Sequence, residues 1–164
     1  MAKREAVFTK DPSGRKLTVV RSFDASLEQV WQAWTDSTLL DQWWAPRPYR
    51  AETKEMDFRE GGHWLYAMVG PEGDSTLCRE SYRTIEPRKL IVNKDIFCDE
   101  QGEEDTNMPT LYWTKRFSEA DGVTTVNIDI DFDTEADMAK IVEMGFQGGF
   151  TMGLNNLEEL LEKA

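Results

Sequence analysis

From Thr124 to Phe132 the chain alternates without a slip. Val126, Ile128, Ile130 and Phe132 fall on one face, and Asn127, Asp129 and Asp131 on the other. A strand of this kind has one face to bury and one to leave in water, as in antiparallel sheets. The segment after it reads as helix. Thr134 is a good N-cap, Glu135 and Asp137 sit in the first turn where acidic groups are favoured, and the pattern predicts a helix continuing to about Lys163. Unbroken, such a helix is roughly 45 Å long. An apolar sheet face followed by a helix long enough to cover it constrains the fold more than any other feature of the chain.

The upstream segments supply the rest of that sheet. Leu17 to Phe23 is β-branched and partly alternating, and the turn former Asp11-Pro12-Ser13-Gly14 precedes it. Residues 1–16 therefore read as a loose arm or a short hairpin strand, with Val7 to Thr9 pairing back. Ser26 with Gln29 matches a capping box, and Leu27, Val30, Trp31 and Trp34 follow on one helical face. Leu39, Leu40, Trp43 and Trp44 repeat the pattern in a second short helix, stopped by Pro46 and Pro48. Further strands are predicted over 51–58, 63–69, 76–85, 90–97 and 111–117, with Gly61-Gly62 as a bulge or sharp bend and Glu119-Ala120-Asp121-Gly122 as a hairpin signal. The acidic stretch 98–107 reads as the mobile loop. With no internal repeat and no linker, the 164 residues form one domain of α+β class, with about six or seven strands.

Charge and composition then exclude functions. A net charge of −12 disfavours nucleic acid as a partner, because phosphate binding relies on clustered Lys and Arg. No apolar run approaches the ~20 residues needed to span a bilayer. The start, Met1-Ala2-Lys3-Arg4-Glu5, lacks the apolar stretch of a signal peptide, and the only cysteines are Cys78 and Cys98, so the chain reads as cytoplasmic with reduced thiols. His63 is the only histidine, which weighs against His-based metal sites and Ser-His or Cys-His nucleophile pairs. No phosphate-binding glycine loop is present, and neither a metal nor a cofactor is predicted.

The order strand, two short helices, six strands and a long helix is that of the helix-grip fold. Arg21-Ser22-Phe23-Asp24-Ala25, Val30-Trp31, Trp34-Thr35-Asp36 and Trp43-Trp44-Ala45-Pro46 together resemble the opening signature of the family of activators of heat-shock-protein-90 ATPase homologues. That family lies within the START-like, birch-pollen-allergen-like superfamily. Asp57 to Trp64 resembles its next block, Tyr82, Ile85, Pro87 and Leu90 the one after, and Gly145, Gly148 and Leu154 the closing one. The resemblance runs from about Leu17 to the end of the chain. It implies a curved antiparallel sheet wrapped around the C-terminal helix, with a ligand cavity between them. It also implies a chaperone ATPase as one partner to consider, and a homodimer by analogy with members that pair through sheet edges.

Several side chains are candidates to line that cavity. Trp34, Trp43 and Trp44 either roof its mouth or pack as core, and adjacent helical residues such as Trp43 and Trp44 are not expected to face the core together. Trp64, Tyr66 and Met68 share the inward face of one strand, which leaves His63 on the outer face. On the next strand Cys78, Glu80 and Tyr82 point inward if Arg79 and Arg83 face solvent. The family pattern favours a small residue where Glu80 stands. A buried carboxylate is costly unless paired, so Glu80 is either a general acid or ligand anchor, or the structural partner of Lys94 or Lys115. Asp57 and Arg59 read as a structural ion pair ahead of Gly61-Gly62. Gly145, Gly148, Gly149 and Gly153 interrupt the last helix at about 1 kcal/mol each relative to Ala. Either helix and sheet approach closely there, or cavity volume opens beneath Met144, Phe146 and Met152. The leading expectation is a non-enzymatic binding protein for a small apolar or amphipathic molecule. The alternatives are a cyclase-like or hydrolytic enzyme using Glu80 with Tyr82 or Tyr112, and a regulator of a chaperone ATPase.

Overall fold

The computed structural model describes residues 4–164. In chain order the elements are β1 (Val7–Lys10), β2 (Lys16–Phe23), α1 (Leu27–Thr35), α2 (Ser37–Trp43), β3 (Arg50–Met56), β4 (His63–Val69), β5 (Ser75–Glu86), β6 (Leu90–Cys98), β7 (Leu111–Ala120), β8 (Val123–Asp131), α3 (Glu135–Glu143) and α4 (Phe146–Glu162). The strands form one sheet in the order β1-β2-β8-β7-β6-β5-β4-β3, antiparallel at every pairing. The sheet has eight strands rather than six or seven, because the N-terminal arm is itself a strand, with Val7 opposite Val20 and Lys10 opposite Leu17.

The alternation read in β8 fixes which face is covered. Val126, Ile128 and Ile130 are fully buried, and Leu17, Val19 and Phe23 of β2 join them. Register irregularities between Thr53 and Glu55 in β3 and between Tyr82 and Thr84 in β5 add local twist, which helps the sheet curl. Gly61-Gly62 forms the turn between β3 and β4. A Cβ on Gly62 would stand only 2.1 Å from the Asp57 carbonyl oxygen, so only glycine fits. The expected capping box is present: Ser26 Oγ accepts from the Gln29 N–H at 3.2 Å, and Gln29 Oε1 accepts from the Ser26 N–H at 3.1 Å. The acidic segment expected to be mobile is laced to its neighbours, with Asp105 N–H donating to the Phe97 carbonyl at 2.8 Å and Arg79 Nη1 to that of Gly102 at 2.7 Å.

The C-terminal helix is not continuous. Helix α3 stops at Glu143, Gly145 takes the left-handed region at φ 89°, and α4 starts at Phe146. Side chains other than glycine rarely adopt that conformation, so the break belongs to this residue. Further along α4, a Cβ on Gly153 would lie 3.0 Å from the Trp44 carbonyl oxygen and 3.3 Å from that of Trp43. The close approach anticipated between helix and sheet falls elsewhere: at Gly153 it is the C-terminal end of α2 on which α4 rests. Asn156 Nδ2 donates to the Ala45 carbonyl at 3.2 Å and approaches that of Trp43 at 3.5 Å, satisfying acceptors that α2 leaves open.

The two kinds of glycine in α4 separate in a stability experiment. Gly148 has open space around its Cβ position and is solvent-exposed. Gly148→Ala is expected to raise the free energy of unfolding by about 0.5–1 kcal/mol through helix propensity alone. Gly153→Leu is expected to lower it by about 1–3 kcal/mol, since the side chain must displace the end of α2. Urea denaturation of the two variants beside the parent checks both signs.

Candidate functional site

A cavity of about 300 Å³ lies between the sheet and the α3–α4 junction. Tyr66 and Met68 of β4, Cys78 of β5 and Trp113 of β7 form its sheet wall, with Trp44 from the end of α2 beside them. Met144, Gly145, Phe146, Gly149 and Phe150 form the opposite wall. Asp95 of β6 is the one ionisable carboxyl in the lining, and Tyr49 and Met144 at the rim are exposed. The helix break at Gly145 and the missing side chain of Gly149 both border the space. The volume suggested beneath Met144 and Phe146 is therefore there, roofed on one side by glycine backbone.

Seven of the side chains named as candidates do not line it. Trp34 packs edge-on against Trp43, Trp44 and Phe117 at ring-centroid distances of 4.8, 5.9 and 5.9 Å, as core. Trp43 is fully buried and donates from Nε1 to the Ala33 carbonyl at 2.9 Å. The expectation that Trp43 and Trp44 do not both face the core is overturned. Trp44 caps the end of α2, where sheet and α4 enclose it from two sides. Trp64 is stacked on Tyr66 at 4.0 Å and donates to Thr53 Oγ1 at 3.0 Å, which places it behind the cavity wall. Tyr82 packs on Phe58 at 4.9 Å, towards α1. Tyr112 alternates outward on β7 and points at Asp133, 3.4 Å away. Met152 lies on the solvent side of α4 with 43 % of its surface exposed. Of the outer-face residues, His63 meets Glu55 at 2.7 Å and Arg59 meets Asp57 at 2.7 Å.

Glu80 points inward and is committed to another group. Its Oε1 accepts from Lys115 Nζ at 3.3 Å, and both side chains are almost wholly buried. The ammonium of Lys115 also lies 5.6 Å from the Trp34 ring centroid, 5.6 Å from Trp44 and 5.1 Å from Trp113. Three indole faces and one carboxylate thus replace the water around this cation. Directly opposite Glu80 across the β5–β6 pairing stands Asp95, whose Oδ1 is buried without a hydrogen-bond partner among the described residues. The Asn93 amide and the Trp113 Nε1 are likewise unpartnered.

Two carboxyls and one ammonium in an aromatic interior do not balance when all are charged. Burial raises the Glu80 pKa, and the pull of Lys115 only partly offsets it. Asp95 is driven well above the ordinary carboxylate range by burial and then by the Glu80 charge, against a smaller opposing pull from Lys115. Burial also pushes the Cys78 thiol and the Tyr66 and Tyr82 hydroxyls up, so all three keep their protons at neutral pH. The Cys78 thiol and the Tyr66 hydroxyl thus face the cavity in their protonated forms, while Glu80 and Tyr82 do not line it. Asp95 was not singled out from the sequence. The signal was available in the phase Ile91, Asn93, Asp95, Phe97, a single strand face bounded by apolar residues. Among the described residues no group of three or more His, Cys, Asp or Glu side chains converges as a metal site requires.

The family described as "Activator of Hsp90 ATPase homolog 1-like protein" matches residues 24–162. Among solved structures, a protein from Arthrobacter aurescens is 27 % identical, with a TM-score of 0.90 over 96 % of this chain and 92 % of that one. A protein from Staphylococcus epidermidis is 30 % identical, with a TM-score of 0.83 over 94 % of each chain. CalU16 from Micromonospora echinospora, at 20 % identity and a TM-score of 0.61 over 98 % of this chain and 87 % of that one, shares the fold. No curated protein matches the chain.

The raised Asp95 pKa has a sign that can be measured. A group that binds its proton more tightly in the folded than in the unfolded state is penalised as pH rises above its unfolded value, near 3.8 for this carboxyl. Asp95→Asn removes that penalty. The variant is expected to be more stable than the parent at pH 7, with the advantage shrinking as the pH is lowered towards 4. Thermal melts across that range, followed by circular dichroism, give the comparison.

Proposed function

The chain belongs to the Activator of Hsp90 ATPase homolog 1-like family, and from that premise we propose that it binds a small, mostly apolar molecule in the cavity between the sheet and α4. Residues 4–164 act in this reading as one START-like domain. The observation that carries it is the cavity itself: about 300 Å³, walled by Trp44, Tyr66, Trp113, Phe146 and Phe150, with Asp95 as its one carboxyl. Protein interiors are packed as densely as organic crystals, and a folded chain of this size rarely leaves such a volume without use. Met68 and Met144 add adaptable, polarisable surface suited to apolar ligands of varied shape.

The route in is the rim at Tyr49 and Met144. Tyr49 is held there by its hydroxyl, which donates to Asp74 Oδ2 at 2.6 Å. Met144 caps the end of α3 immediately before the left-handed Gly145, so this side of the mouth is a helix end followed by a flexible-backbone residue. Trp44, Tyr66, Met68, Cys78, Met144 and Phe146 are the side chains of the sequence-derived set that contact the ligand, joined by Trp113, Phe150 and Asp95.

Filling the space tests the reading. A Cβ on Gly149 makes an ordinary contact with Pro46 Cγ at 3.6 Å, so a side chain can be added there without strain. Gly149→Leu is expected to remain folded and at least as stable as the parent, with Nile red binding weakened about tenfold or more. Equal dye binding by parent and variant, or none by the parent, would remove the cavity as the ligand site.

A further inference from the structure

We propose that the ligand carries a protonated amine, seated in the cavity with its ammonium against the Asp95 carboxylate and its apolar body between the aromatic walls. This rests on the cavity being a ligand site. It goes further by naming the charge that the ligand brings.

The interior holds an arrangement of charges that is one cation short. Glu80 and Asp95 face each other across adjacent strands, and Lys115 hydrogen-bonds Glu80 Oε1 alone, leaving Glu80 Oε2 and Asp95 Oδ1 without hydrogen-bond partners among the described residues. Like charges directly opposite in a sheet destabilise it, so a second carboxyl at this position is a standing cost unless something uses it. Asp95 is 92 % buried, lines the cavity, and has Oδ1 free of any partner among the described residues. The same interior also shows how it treats an ammonium. Lys115 is held by one carboxylate and three indole faces, and Trp44 and Trp113, which supply two of those faces, are themselves cavity wall. A second ammonium at Asp95 would therefore meet a carboxylate and aromatic faces of the same kind. The net charge of −12 draws cations towards the protein and repels anions.

The groups facing Asp95 determine the proton balance. Glu80, Cys78 and Tyr82 stand on β5, Tyr66 on β4 and Lys115 on β7, while α3 and α4 contribute no titratable side chain to the wall. In the free protein, burial and then the Glu80 charge raise the Asp95 pKa well above its ordinary value, which favours the protonated carboxyl. Binding an ammonium requires the carboxylate, so the proton that the raised pKa keeps on Asp95 passes to solvent as the amine binds. Apparent amine affinity then rises with pH until Asp95 is ionised in the free protein. A neutral ligand of the same shape releases no proton in binding, and an anionic one meets two carboxyls.

Three probes of one shape and different charge decide the matter: phenylbutylamine, phenylbutanol and phenylbutyric acid, titrated calorimetrically into the full chain and into Asp95→Asn. The amine is expected to bind about tenfold or more tighter than the alcohol, with the acid weakest. Asp95→Asn is expected to lose that advantage while keeping the affinity for the alcohol within about twofold. In the parent, amine titrations in buffers of differing ionisation enthalpy are expected to show release of about one proton, and amine affinity is expected to rise with pH while alcohol affinity stays flat. If Asp95→Asn fails to fold, the proton release and pH dependence of the parent carry the test alone. Alcohol binding equal to or tighter than amine binding, or amine binding without proton release, overturns the amine assignment and leaves the cavity reading standing. Binding of none of the three overturns both.

Discussion

Arg21 lies fully buried in β2, among Leu17, Val19 and Phe23, and sends its guanidinium to α4. There Glu158 receives it at 3.0 Å and Asn155 at 2.9 Å, while the Phe23 ring lies 5.1 Å beneath. An arginine removed from water to this extent demands its partners, and they hold the C-terminal half of α4 to one flank of the sheet. One turn earlier Gly153 lets the helix touch the end of α2, and Asn156 caps the carbonyls there. The N-terminal half of α4 has no comparable tie. It is the half that spans the cavity, and it carries Gly148 and Gly149. The helix is thus clamped by polar groups at one end and held by the packing of Phe150 on Trp44 and Trp113 at the other, where it spans the cavity.

A second constraint lies deeper. Lys115 is removed from water by three indoles and one carboxylate, which ties α1, α2, β5 and β7 together around a single ammonium. The arrangement explains why Trp44 and Trp113 serve structure and site at once. Trp44 is one wall of the cavity and one wall of the Lys115 cage, and its Nε1 donates to the Tyr66 hydroxyl at 3.1 Å. Binding in the cavity and electrostatics in the core therefore share atoms.

Much of the fold was legible in the chain. The two-residue period of β8, the Ser26–Gln29 capping box and the helix stop before Pro46 each rest on a local rule that tertiary structure did not override. The inward phase of Cys78, Glu80 and Tyr82 also followed from alternation, and Lys115 was one of two partners open to Glu80. What escaped reading depended on surroundings. Trp43 and Trp44 are both buried because α4 returns over the end of α2, a contact separated by more than a hundred residues in the chain. Four glycines in one helical segment look alike on paper, yet Gly145 breaks the helix, Gly153 receives a neighbour and Gly148 faces solvent. Asp95 was hidden beside Lys94, since adjacent opposite charges in a strand suggest a wet edge until the phase is carried through from Ile91.

The left-handed residue at position 145 also bears on how this scaffold diverges. The polar ties of the last helix lie beyond Gly153, whereas the side of the cavity roofed by helix lies at or before Phe150. Substitutions at Met144, Gly145 or Gly149 reshape the cavity without touching the Arg21 clamp, whereas Phe146 and Phe150 pack on Trp113 and Trp44 and so meet the walls of the Lys115 cage. Part of the cavity lining is thereby separate from the residues that clamp the helix, so related chains can change what they carry at those positions while keeping the same architecture.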